Sequence, residues 1–155
     1  MNRRQLVRAA AGLVPLLGGA SVSVRAEETT PRHRILLQVS VNDPALMDLA
    51  LINIRNIAKY YEAKGERVAI DLTAFGPGYV MLRADTSPVK AKVTEIKRLY
   101  PFVRFSACQN ARRAMAVAEG KNPEDVPQMS EAEDVPAGVV HISELQEHGW
   151  SYLRP

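Results

Sequence analysis

Apolar residues recur along this chain in two alternating rhythms, and the alternation predicts a fold class. Residues 35–41 form a nearly continuous apolar run broken by Gln38 and Ser40, the pattern of a strand covered on both faces. Asn42-Asp43-Pro44 follows, with Asp placed to cap a helix and Pro at its first position. Met47, Ala50, Leu51, Ile54, Ala58 and Tyr61 then fall at steps of three and four, one face of a helix that Gly65 closes.

The pairing of strand and helix repeats. Residues 68–75 read as a second buried strand, and Gly76-Pro77-Gly78 marks a tight turn at its carboxyl end. Ser87-Pro88 opens another helix with Val89, Val93, Ile96 and Tyr100 on one face, Lys97 and Arg98 near its end and Pro101 as the stop. Residues 102–107 are the third strand. Residues 109–119 are the third helix, with Ala111, Met115 and Ala118 inward and Gly120 closing it. The acid-rich stretch 121–136, punctuated by Pro123, Pro127 and Pro136, is predicted to be a long loop, placed as a lid or an oligomer contact. Residues 139–142 read as the last strand, and Ser143 caps a short helix over 143–148, before Trp150 and Tyr152 pack back onto the domain. Such alternation predicts a mostly parallel sheet of about five strands in a three-layer α/β/α arrangement.

The first residues follow a different rule. Arg3-Arg4 stands just ahead of residues 9–24, sixteen positions without a charge, as in a twin-arginine export leader. Pro15, Gly18 and Gly19 interrupt this segment, which is short and weakly apolar for a membrane span. Small residues around Ala26 predict cleavage there, giving a leader 1–26, a tail 27–33 and one domain 34–155, with a retained anchor as the alternative. Removing the four leader arginines turns the net charge from +3 to −1. The mature chain is then nearly neutral and carries no electrostatic case for nucleic-acid binding. The expected location is the periplasm, with no stable membrane insertion after processing.

Candidate chemistry centres on Cys108, the one cysteine of the chain. It falls where the third strand gives way to the third helix. A thiol there faces the unpaired amides and the positive end of the helix, which favour thiolate. In open parallel sheets, ligands gather at the carboxyl ends of strands near the point where strand order reverses. That rule gathers Asn42-Asp43, Gly76-Pro77-Gly78, Cys108-Gln109-Asn110 and His141-Ile142-Ser143 on one edge. The amides of Gln109 and Asn110 are placed to steady an anionic sulfur. Arg112 and Arg113, four and five residues on, are placed so that one approaches it while the other meets solvent; an ordinary exposed helix face is the alternative for both. The alternative for Cys108 is an inert core thiol. His141 is expected to be a hydrogen-bonded core residue rather than a base.

Several of these segments together resemble the DsrE/DsrF-like family of sulfur-relay proteins. The resemblance lies in Gly76-Pro77-Gly78 after a strand, then 105–110 (Phe-Ser-Ala-Cys-Gln-Asn), then 135–140 (Val-Pro-Ala-Gly-Val-Val) leading to 145–152 (Leu-Gln-Glu-His-Gly-Trp-Ser-Tyr). It implies flavodoxin-like layering, assembly into homo-oligomers, and Cys108 as a carrier of sulfur in persulfide form. It also implies the Gly76-Pro77-Gly78 loop and Asn110 as its neighbours. The expected partners are a sulfane-sulfur donor and a thiol acceptor protein. A non-catalytic oligomeric scaffold of the same fold is the alternative.

Other chemistries lack their residues. A single cysteine excludes Cys-x-x-Cys redox exchange, and Gly76-Pro77-Gly78 lacks the lysine and third glycine of a phosphate cradle. There is no Gly-x-Ser-x-Gly elbow and no HExxH helix. The spacings of His33, Cys108, Met129 and His141 match no metal motif, so neither metal nor cofactor is expected. Charge is segregated, with basic residues over 83–113 and acids over 119–136. This suits subunit packing or steering of anionic sulfur compounds, or ordinary solvated surface.

Overall fold

A computed structural model describes residues 31–155; the leader expected at 1–26 lies outside the described residues. The chain runs β1 (His33–Val39), α1 (Pro44–Ala63), β2 (Val68–Ala74), a 3-10 segment (Gly76–Leu82), α2 (Lys90–Leu99), β3 (Val103–Cys108), α3 (Gln109–Ala118), a 3-10 turn (Pro123–Asp125), β4 (Ala132–Val135), α4 (Gly138–Glu147) and β5 (Ser151–Leu153). All five strands are parallel, in the order β4-β3-β2-β1-β5. This is the three-layer α/β/α arrangement expected from the alternation, with the flavodoxin-like layering that the resemblance implied.

The order dictates where the helices go. From β1 to β4 the chain steps always in one direction, so right-handed crossovers put α1, α2 and α3 on one face. The step from β4 back to β5, beside β1, runs the other way and sends α4 across the opposite face. Residues in register show the two faces. Leu37, Leu72 and Phe105 line up across β1, β2 and β3, fully buried among Met47, Ile54, Val93 and Ile96 of the first two helices. On the other face Leu36, Asp71 and Arg104 line up, followed by Gln38, Thr73 and Ser106.

That second face holds a buried polar network. Asp71 is fully buried. Its Oδ2 accepts from Arg104 Nε and from Ser106 Oγ at 2.8 Å, and its Oδ1 accepts from Thr73 Oγ1 at 2.8 Å. His141 of α4 closes the group, with Nε2 3.2 Å from Asp71 Oδ2 and 2.9 Å from Arg104 Nη2. A protonated Nε2 donates to the carboxylate, and a bare one accepts from the guanidinium. Burial alone would raise the Asp71 carboxyl; the His141 hydrogen bond, the Arg104 charge and the Thr73 hydroxyl outweigh it and hold the group below its ordinary value.

Three expectations are corrected. Residues 139–142 belong to α4, not to a strand: a four-residue run of three apolar residues and His141 fits either element, and here Val139 and Val140 face outward while Ile142 is buried. The fourth strand lies instead inside the expected loop, as the short edge strand β4. Helix α2 opens at Lys90, after Ser87, whose hydroxyl accepts from the Val89 amide at 3.3 Å. Among the described residues no helix is long and apolar enough to cross a membrane.

Candidate functional site

Strands β3 and β4 are neighbours whose following helices leave to opposite faces of the sheet. Their loops therefore diverge, and a crevice opens between them at the carboxyl edge. Cys108 ends β3 in register with Val135 at the end of β4, so its side chain falls in that crevice.

Cys108 is also the N-cap residue of α3, with the extended backbone that a cap requires (φ −70°, ψ 113°). Its Sγ sits where a cap oxygen ordinarily sits and accepts from the amide of Ala111 at 3.4 Å. A second donor comes from the opposite wall: the amide of Gly138, the first residue of α4, reaches Sγ at 3.2 Å. The sulfur thus receives one N–H from each of two helix starts, and the positive ends of both dipoles converge on it. Glycine is required for this approach. A Cβ on Gly138 would lie 2.6 Å from Phe75 Cβ and 3.3 Å from Cys108 Cβ.

A pocket of about 300 Å³ opens at this point, lined by Phe75 and Gly76 after β2, by Cys108, Asn110, Ala111 and Ala114 from β3 and α3, and by 137–139 from the start of α4. Cys108 itself is 4% exposed, so the sulfur forms part of the floor rather than the rim. Gly76 turns the chain away from β2 with φ +51°, a region open to glycine without strain. Gly78 then packs on β1 so closely that a Cβ would lie 2.3 Å from the Val39 carbonyl oxygen.

The expected site residues separate into two groups. Gly76, Cys108 and Asn110 meet at the pocket, and the Asn110 amide donates to the Pro136 carbonyl at 3.3 Å, tying the two crevice walls together. The others are occupied elsewhere. Gln109 Nε2 donates to Asp134 Oδ1 at 2.9 Å and to Gln128 Oε1 at 3.2 Å. Arg112 donates through Nε and Nη2 to the Val126 carbonyl at 3.0 and 2.8 Å, so it clamps the 3-10 turn onto α3 rather than contacting the sulfur. Pro77 and Gly78 shape the loop without lining the pocket. Asp43 caps α1, its Oδ1 accepting from the amides of Ala45 and Leu46. Tyr79 is fully buried behind the glycine turn; burial foremost pushes its hydroxyl up to about 12, and it donates to Gln128 Oε1 at 2.8 Å.

Sequence reasoning assigned no role to Gly138 or Phe75. The signal for Gly138 was a small residue after Pro136-Ala137, directly ahead of an apolar run. Among the described residues no group of three or more His, Cys, Asp or Glu side chains is placed to hold a metal ion.

No family model and no curated protein matches the chain. Among solved structures, the protein MTH1491 of Methanobacterium thermoautotrophicum, of unknown function, is 32% identical with a TM-score of 0.64, over 79% of this chain and 99% of that one. The chain belongs to one family with that protein. The shared length covers the whole of the methanobacterial domain, so the layered sheet is common to both.

Proposed function

We propose that this protein is an exported sulfur carrier or sulfurtransferase-like protein that holds sulfane sulfur as a persulfide on Cys108. The observation that carries the reading is the pair of amide donors, Ala111 from α3 and Gly138 from α4, on one sulfur atom at the floor of a pocket. Two amide hydrogens from two helix starts point at this sulfur, and sulfur is the nucleophile in persulfide exchange.

The transfer balances without an added oxidant. The Cys108 thiolate attacks the outer sulfur of a donor R–S–SH; the new S–S bond forms as the old one breaks, and R–S⁻ leaves. The outer sulfur of Cys108–S–SH then has the pocket to occupy until an acceptor thiolate takes it by the same step, regenerating the Cys108 thiolate. The donor and a thiol acceptor protein are the partners of this reading. It includes the homo-oligomeric assembly implied by the family resemblance, and the periplasmic location follows from the leader.

A second reading is a non-catalytic scaffold of the same fold, favoured by the 4% exposure of Cys108. Two measurements separate them: the alkylation rate of Cys108 against pH in folded and unfolded protein, and intact mass after exposure to a sulfane donor. The carrier reading predicts alkylation of the folded protein and a mass gain of one sulfur atom. A thiol that reacts only on denaturation supports the scaffold.

A further inference from the structure

We propose that the outer face of α1 is a self-association surface, on which a second copy of this chain packs its own α1 antiparallel about a two-fold axis between Leu49 and Ile52. The surface is independent of the sulfur chemistry and gives the homo-oligomeric part of the functional reading a place on the fold.

Helix α1 carries two apolar seams. Met47, Ala50, Leu51, Ile54 and Ala58 are buried, the one apolar face that a helix on a sheet requires. Leu49, Ile52, Asn56 and Tyr60 follow one another at steps of three and four and are all exposed, forming a second row down the outer side. Its large apolar members, with Val41 just ahead of the helix, are each 44–55% exposed. Exposed apolar residues scattered singly are ordinary; four along one helix and its lead-in make a patch.

The row is complementary to itself. Val41 and Tyr60 lie equally far from the midpoint between Leu49 and Ile52, so a single antiparallel register sets Leu49 against Ile52 and Val41 against Tyr60 of the second copy, each pair occurring twice. Charge follows the same symmetry. Over residues 41–60 the acids Asp43 and Asp48 stand in the first half and the bases Arg55 and Lys59 in the second, so the two-fold lays acid on base, whereas a parallel pairing sets like on like. Lys92 and Glu95 of α2 already answer Asp48 and Arg55 within the chain. The charges therefore fix direction at the rim, and the apolar pairs carry the affinity.

A hollow beside the row fits the same register. It has a volume of about 100 Å³ between α1 and α2 and is lined by Asp48, Leu51, Ile52, Arg55 and Lys92. Leu49 of the second copy falls opposite Ile52, so its side chain is the one placed to fill this space, a knob in the groove between two helices. Arg55 Nε is buried without a hydrogen-bond partner, and Asp48 of the second copy falls within two positions of it, bringing an acceptor to that wall. None of these residues lines the Cys108 pocket, so both thiols stay open in the pair.

Sedimentation of the full chain from micromolar to submillimolar concentration tests the surface, with circular dichroism as the check on folding. A mass of two chains, or an even multiple, is expected. Leu49→Lys and Ile52→Lys, both at exposed positions, are each expected to raise the dissociation constant by about tenfold or more, as loss of a central apolar contact does. Val117→Lys, exposed on α3 away from this face, is expected to leave it unchanged. Lys59→Glu sets an acid near Asp43 of the second copy and is expected to raise it by about threefold. An assembly indifferent to both α1 lysines, or equally sensitive to Val117→Lys, overturns this surface and leaves oligomeric assembly standing. An odd number of chains overturns the two-fold, and indifference to Lys59→Glu overturns the antiparallel register. A single-chain mass at every concentration overturns surface and assembly together and leaves the face to a different partner. In every case the persulfide reading is decided separately, by sulfur loading on Cys108.

Discussion

Helices α1 and α3 both begin at the carboxyl end of a parallel strand, and each is capped by the side chain of the residue before its first turn. At α1 the cap is Asp43, in solvent, its carboxylate accepting from Ala45 and Leu46. At α3 it is Cys108, buried, its sulfur accepting from Ala111 and, across the crevice, from Gly138 of α4. Sulfur is a weak acceptor, and aspartate or serine is the better cap. A helix start that needed only stability would carry the α1 solution. The α3 start gives up capping strength and gains a polarizable nucleophile inside two helix dipoles. On the carrier proposal, Cys108 is the place where chemistry takes precedence over stability.

The sharpest way to break this contrast is to return the ordinary cap to α3. Cys108→Ser keeps an acceptor at the same point, so unfolding free energy is expected to stay within about 1 kcal/mol of the parent, while persulfide formation is lost completely. Urea unfolding and intact mass read the two outcomes. A large stability loss would recast the sulfur as a packing element.

The second change removes what holds α4 against the sheet. Asp71→Ala leaves Arg104 and His141 without their carboxylate and is expected to cost about 3 kcal/mol, the lower end for a broken buried pair because the Arg104 side chain is 36% exposed. The same carboxylate gives a pH signature. Its folded value lies below the ordinary one, so its contribution is complete above the usual carboxylate range and is lost as pH falls through the folded value. Urea unfolding at pH 7 and at acid pH in parent and variant measures it, and the gap between the two proteins is expected to narrow on acidification.

Gly138→Ala addresses the second donor directly. Its Cβ would lie 2.6 Å from Phe75 Cβ, so the start of α4 must shift, at about 1–3 kcal/mol. Alkylation of folded Cys108 near neutral pH is expected to slow as one N–H leaves the sulfur. Asp43→Ala is the smallest change, about 1 kcal/mol of stability, with Cys108 reactivity unchanged. An effect of Asp43→Ala on Cys108 chemistry would erase the distinction between the two caps.

Local pattern made much of this legible. Asp43-Pro44 and the three-four spacing after it fixed α1 because cap, proline and apolar face all agree. The runs at β1, β2 and β3 were plain because central parallel strands are apolar on both faces, although Asp71, Thr73 and Ser106 show that one of those faces is partly polar. Edge elements were hidden. Ala132–Val135 carries two acids and lies largely exposed, so nothing in it reads as a strand until β3 supplies the pairing. Residues 139–142 were misread because three apolar residues and one histidine carry no period of their own. At the site, a cysteine at a strand-to-helix junction was visible in one dimension. The amide of Gly138, thirty residues away, and the commitment of Arg112 to Val126 depend on which faces α3 and α4 take, and those follow from strand order.

The most direct measurement is the intact mass of the folded protein after treatment with an alkyl persulfide and removal of excess reagent, with Cys108→Ser as the control. The account predicts a gain of one sulfur atom on the parent, removed by a thiol acceptor, and none on the variant. An unchanged parent mass, with a thiol that alkylates only after unfolding, would contradict it.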